Sequence, residues 1–246
     1  MQDLYLIAIG ALLAGGMVKG ALGIGLPTTA ISIMAQFTDP RTAVALGLAP
    51  MVVSNVWQFY RQGEWMVAIH RFWPLAVVTG ATIYVTSLQA VNLSVTFILM
   101  VMGAGIALFS LTSLVKEPPF VPDRWEVPGQ VISGTACGVL GGLTGVWSPP
   151  MLIFLMMRRL EKEEFVRVMG LLLFMGAWPL LGGYAQSGLM TGELFLVSCL
   201  LLVPTFAGYA LGERVRRRLD PARFQKVVLI FFLLMGLNLV RKGLMG

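Results

Sequence analysis

Lys19 lies inside an otherwise apolar stretch. An ionisable group at membrane depth is expensive, so it is kept there by function or by a reach back to the interface. Three roles are open to it: direct pairing with an anion, a protonation switch, or a side chain that snorkels. One turn later comes ALGIGLPTT, with Gly23, Gly25, Pro27, Thr28 and Thr29, and a matching run GGLTGVWSPP carries Thr144, Gly145, Trp147, Ser148 and Pro149. Glycine is a weak helix former, and proline, lacking a donor, fits the first turn of a new helix. Each run therefore predicts one helix ending and another beginning. A helix start offers unpaired N–H groups and a positive dipole end, which together favour an anion. The hydroxyls of Thr28, Thr29, Thr144 and Ser148 and the indole N–H of Trp147 would add donors without adding charge. A second group follows a kink expected at Pro50, where Ser54 and Gln58 share a helical face with Asn55 and Trp57 close by. The candidate substrate-binding set is Lys19, Gly23, Gly25, Thr28, Thr29, Asn55, Gln58, Thr144, Gly145, Trp147 and Ser148. The competing account makes the breaks packing kinks and the polar groups interhelical hydrogen bonds.

The elements that must position these residues follow from composition. Of 246 residues, 57% are hydrophobic and 12% charged, against about 45–50% and about 25% in soluble domains. With a mean hydropathy of +0.81, this excludes a soluble globular protein, a disordered tail and a disulfide-stapled module. Runs of about 20 apolar residues place segments near 4–36, 41–59, 72–88, 93–115, 129–157, 165–185, 193–212 and 223–240. None shows the alternation of a barrel strand, so the expected fold class is an all-α polytopic membrane protein. The start MQDLYLIAIG has an acid and no basic n-region, so the first segment is expected to stay in the protein. Segment 4–36 as one helix would be about 50 Å long, too much for a core of about 30 Å. It must tilt strongly or break.

The chain also repeats itself. A shift of 122 lays Gly16, Gly20, Gly23 and Pro27 over Gly138, Gly142, Gly145 and Pro149. Shifts of 123, 128 and 133 bring Gly47 onto Gly170, Gly80 onto Gly208 and Met102-Gly103 onto Met235-Gly236. Duplication is the simplest source of that shared order. It gives a single transmembrane transport domain, 1–246, with repeat one at 1–116, a linker at 117–128 and repeat two at 129–246. Each repeat has four segments and a broken or re-entrant helix at its start. Eight full crossings would divide the flanking basic residues eleven to six. Two re-entrant hairpins divide them fourteen to three, the cleaner partition under the positive-inside rule. The hairpin arrangement leaves three crossings per half, so the repeats would be inverted and both termini extracytoplasmic.

The cassettes GALGIGLP and GGLTGVWSPP, the stretch ALGLAPMVVSNVWQ and the spacing of apolar segments resemble the sulfite exporter TauE/SafE (TSUP) family. The resemblance implies a bacterial inner-membrane permease for sulfur-containing anions such as sulfite or small organosulfonates, working as a secondary transporter and exporter. Carried over residue by residue, it reaches Gly20, Gly23, Gly25, Pro27, Gly142, Gly145 and Pro149. Family members show a richer glycine run before each proline, and here Trp147 stands where the first half has Gly25. Expected partners are the small anionic substrate and membrane lipids, with a co- or counter-transported proton and a homodimer as options; nucleic acid is not expected. No cofactor or metal is expected, since Cys137 and Cys199 lack ligand spacing and no phosphate-binding loop occurs. The alternative class is an intramembrane enzyme acting on an anionic lipid or phosphate. Such chemistry wants an acid or base beside a nucleophile, and no Asp or Glu is buried in an apolar segment.

Overall fold

The computed structural model describes residues 2–63, 65–115, 118–216 and 220–245. Lys116 and Glu117 of the connector and Arg217, Arg218 and Leu219 of the basic cluster lie outside them. Among the described residues the regular structure is helical. In chain order it comprises α1 (Gln2–Leu22), α2 (Leu26–Met34), α3 (Pro40–Gln62), α4 (Trp65–Gln89), α5 (Val95–Val115), α6 (Glu126–Thr144), α7 (Ser148–Met157), α8 (Lys162–Gln186), α9 (Gly192–Leu200), α10 (Leu202–Arg216) and α11 (Pro221–Met245). Seven stretches are long and apolar enough to cross a membrane, with α9 and α10 counted together. Glycine and polar residues dilute α6 below that level.

Segments 4–36 and 129–157 both break where glycine and proline require. The first helix of each pair closes on a left-handed glycine, Gly23 at φ 80° and Gly145 at φ 71°. The same bond caps each: Gly23 N–H donates to Lys19 O and Gly145 N–H to Gly141 O, both at 2.7 Å. A side chain at either φ would be strained. The short helices then fold back along the long ones. Leu26 and Ala30 of α2 lie against Gly15 of α1, and Phe154 of α7 lies against Gly129 of α6. Arg158, just past α7, reaches Glu126 at the start of α6 (2.9 Å) and Asp123 before it (2.6 Å).

Two boundaries differ from the sequence expectation. The segment placed at 72–88 starts at Trp65, with non-helical Phe72 about two turns in. Segment 193–212 is not one helix but breaks at Leu201, where Pro204 withholds an N–H from the turn before it.

The helix ends gather at two ends of the bundle. At one, Arg41 donates to Ala90 O (2.9 Å) and Leu93 O, and Lys242 donates to Ala35 O and Gln36 O (3.0 and 2.9 Å). At the other, Arg61 meets Glu213, and Arg71 meets Glu126 and Glu164. Contacts between the halves are exchanged. Helix α1 lies on α10, and α6 lies on α4. Helices α5 and α11 cross each other at Gly103 and Gly236: a Cβ on Gly103 would stand 2.6 Å from Gly236 O, and one on Gly236 2.8 Å from Gly103 O. Only glycine permits that approach. Gly103 also meets Val240, and Gly243 meets Met100, so the two helices run antiparallel. Helices α3 and α8 do likewise, with Asn55 on Leu173, Phe59 stacked on Phe174 and Gln62 on Gly170.

Candidate anion site at the helix breaks

Lys19, in the last turn of α1, is 2% exposed and points across to α3. Its ammonium donates to Ser54 Oγ (3.0 Å) and to Asn55 Oδ1, and Asn55 Nδ2 donates to Leu173 O of α8 (3.0 Å). Among the described residues no carboxylate pairs with Lys19. The position suits a cation, because the last turn of a helix is its negative end. The snorkelling account does not hold, since the ammonium stops on two neutral acceptors within the bundle. Two of its three N–H groups are engaged, which leaves one donor and an uncompensated charge.

The first break stands beside it. Thr29 N–H closes the first turn of α2 on Gly25 O (2.9 Å), so the amides of Leu26 and Thr28 precede the bonded turns. Thr28 and Thr29 are each 2% exposed, and Thr29 Oγ1 has no partner among the described residues. Gly25 and Ile24 reach a cavity of about 190 Å³, lined also by Phe109, Ser113, Phe165, Gln225 and Phe232. It extends to the first turns of α8 and α11, which belong to the Arg71 end. Gln58, one turn beyond Ser54, and Gln62, a turn further, keep their side-chain carbonyls buried and without a partner among the described residues.

The second break is closed. Val146 and Trp147 are fully buried, and Ser148 is 3% exposed. Gly145 is wedged against Ile31 of α2 and Val44 of α3, 2.8 and 2.9 Å from where its Cβ would be. Thr144 is committed to the break itself: its hydroxyl donates to Leu140 O (2.6 Å) and accepts from Val146 N–H (3.2 Å). The indole Nε1 of Trp147 has no acceptor among the described residues.

The two helix starts are staggered. Val44 precedes Asn55 by eleven positions on α3, about 16 Å of helix, and Ile31 lies five positions past the start of α2, about 8 Å. The structure thus joins Lys19, Asn55, Gly23, Gly25, Thr28 and Thr29 in one region, with Gln58 a turn away. It places Thr144, Gly145, Trp147 and Ser148 in another. One small anion gripped by both helix starts at once, the sequence expectation, is not what this stagger offers.

Sequence reasoning missed Ser198. Pro50 interrupts α3 and leaves Leu46 O without its usual donor; Ser198 Oγ of α9 donates to that carbonyl (2.8 Å) and accepts from Ala49 N–H (3.0 Å). The bend so held lies one turn before Ser54 and Asn55. Nothing near residue 198 in the chain signals this, because its partners are about 150 positions away.

Seven long apolar stretches among the described residues define the class, a multi-pass membrane protein. The chain belongs to the sulfite exporter TauE/SafE family, whose model matches residues 7–239. That family is one of membrane transporters of the sulfite-exporter type, not of enzymes. No curated protein and no solved structure matches the chain.

Proposed function

We propose that the protein is a secondary transporter that exports a small sulfur-containing anion, such as sulfite or an organosulfonate, across the bacterial inner membrane by alternating access. The observation that carries this is Lys19, a buried ammonium held only by neutral acceptors beside the free N–H groups of α2. An anion arriving there compensates the charge and takes the third ammonium N–H with the amides of Leu26 and Thr28. Gly23 and Gly25 leave room for the approach, and Asn55 and Gln58 supply neutral polar contacts. Ligand recognition by a half-helix start at a repeat interface is a recurring transporter device.

The antiparallel course of α5 against α11 and of α3 against α8 supports an inverted repeat, since a two-fold axis in the membrane plane reverses each helix relative to its counterpart. The return of Arg158 to Glu126 supports a re-entrant α6–α7 hairpin. In that arrangement eleven of the described basic residues belong to the Arg71 end and three, Arg41, Arg241 and Lys242, to the Arg41 end. The positive-inside rule then makes the Arg71 end cytoplasmic and both termini extracytoplasmic. The cavity at Gly25 would open inward while the second break is shut.

The test is counterflow of labelled sulfite, sulfoacetate and sulfate in proteoliposomes, with and without a pH gradient. Saturable transport of a sulfur anion is expected, and Lys19→Met should weaken anion affinity roughly 10- to 100-fold, the worth of a charged hydrogen bond at about 1.5–3 kcal/mol. No saturable transport by the unmodified protein would overturn the proposal.

A further inference from the structure

Under the 122-residue shift that superposes the two breaks, the counterpart of Lys19 is Gly141 and that of Gly25 is Trp147. The structure shows what this exchange accomplishes. Trp147 Cβ packs on the bare face of Gly141, 2.7 Å from where that residue's Cβ would be. The indole therefore covers the patch of α6 from which a lysine would leave. Its Nε1 arrives at Gly176 of α8, again against a bare backbone, 2.9 Å from where a Cβ would be. Shifts of 122 and 123 equate Gly176 with Ser54 or Val53 of α3, the place that Lys19 Nζ reaches in the first half.

The resemblance ends at the acceptors. Where Lys19 finds Ser54 and Asn55, the second half offers Gly176 and Ala177, which have none. Trp147 is fully buried, and its N–H is an orphan donor among the described residues, a rarity in native cores that calls for an explanation. A phenylalanine would fill nearly the same space without it. The orphan donor belongs to the residue that caps the start of α7, a ten-residue helix that begins with Ser148; Pro149 and Pro150 carry no N–H, so among its first three residues that helix start offers only the amide and hydroxyl of Ser148.

We infer that Trp147 is the neutral counterpart of Lys19, and that its indole N–H binds an oxyanion at a second station, at the α6–α7 break. Resting on the transport proposal above, this deepens it. The anion is held in turn by a charged donor near the Arg71 end and by an uncharged one nearer the Arg41 end. With no second lysine, release on that side needs no separation from a fixed charge.

The test uses the full chain in detergent and in proteoliposomes, with sulfite and sulfoacetate as probes. Indole-¹⁵N labelling identifies the Trp147 resonance as the one lost in Trp147→Phe. In the unmodified protein that resonance should move downfield on saturation with a transported anion. Trp147→Phe, which keeps a ring and deletes the donor, should raise KM five- to tenfold without lowering the thermal midpoint. If none of the six tryptophan indole signals moves with an anion that the protein does transport, the inference is overturned even if Trp147→Phe fails to fold. A folded Trp147→Phe variant with unmodified kinetics beside an impaired Lys19→Met overturns it too. Loss of all transport in the unmodified protein would instead strike the function proposed above.

Discussion

Ser198 and Pro50 offer a quantitative check on how the Lys19 site is held. Pro50 deprives Leu46 O of its donor, and the bend leaves Ala49 N–H to be met from outside the helix; one hydroxyl serves both groups at 2.8 and 3.0 Å. Ser198→Ala deletes those two bonds and strands a carbonyl and an amide in a region where Leu46 is fully buried. Each stranded group costs about 1–3 kcal/mol, and partial relaxation of the bend brings the expected total to about 2–4 kcal/mol. Pro50→Ala restores an N–H four residues after Leu46, so the helix can close on itself and Ser198 becomes dispensable. The double variant should thus be more stable than the sum of the single effects by about 1–2 kcal/mol, a coupling expected for groups sharing one network. Steric-trapping or denaturant unfolding in mixed micelles would measure the cycle, and anion affinity would follow it, since Ser54 and Asn55 lie one turn beyond the bend. Additive single and double variants, or a Ser198→Ala change under 0.5 kcal/mol, would refute the plug.

Three further outcomes are expected. Gly103→Leu should cost about 1–3 kcal/mol or more by forcing α5 away from Gly236. Gly10→Ala, with no atom within 4 Å of the added Cβ, should be neutral or gain up to about 1 kcal/mol; equal thermal midpoints for the two would count against the crossing. Glu126→Ala removes a carboxylate from both Arg158, 2% exposed, and Arg71, 38% exposed. About 2–3 kcal/mol is expected, mostly from Arg158 because the exposed pair is screened, with faster proteolysis of the connector as the readout. Asp123 is held below the usual carboxylate range by its hydrogen bond from Arg158, followed by that residue's charge. A lowered folded value means its contribution is complete above the unfolded value of about 3.9 and is lost as pH falls through the folded one. The stability gap between the unmodified protein and Asp123→Asn should be constant above about pH 4 and close below it. A gap that widens on acidification would contradict the pairing.

Both breaks were legible in the chain, as was a lysine within an apolar run. Gly23 and Gly145 adopt the left-handed conformation, and Pro27 and Pro149 begin the next helices, because these are preferences of single residues that hold in any surroundings. An ionisable residue in an apolar run is equally visible, as its desolvation cost does not depend on which neighbour satisfies it. The break at Leu201 was not legible, since Pro204 sits three residues past it, in the middle of an apolar run with no glycine beside it.

Tertiary structure decided the rest. Which groups receive the Lys19 ammonium, which hydroxyl meets Leu46 O, and that the two breaks are staggered all depend on residues about 35 to 150 positions apart or on how two helices slide past each other. Spacing along the chain carries no information about that slide. Local backbone chemistry determined where the helices break; the packing of the two halves determined that one break presents a lysine and the other an indole.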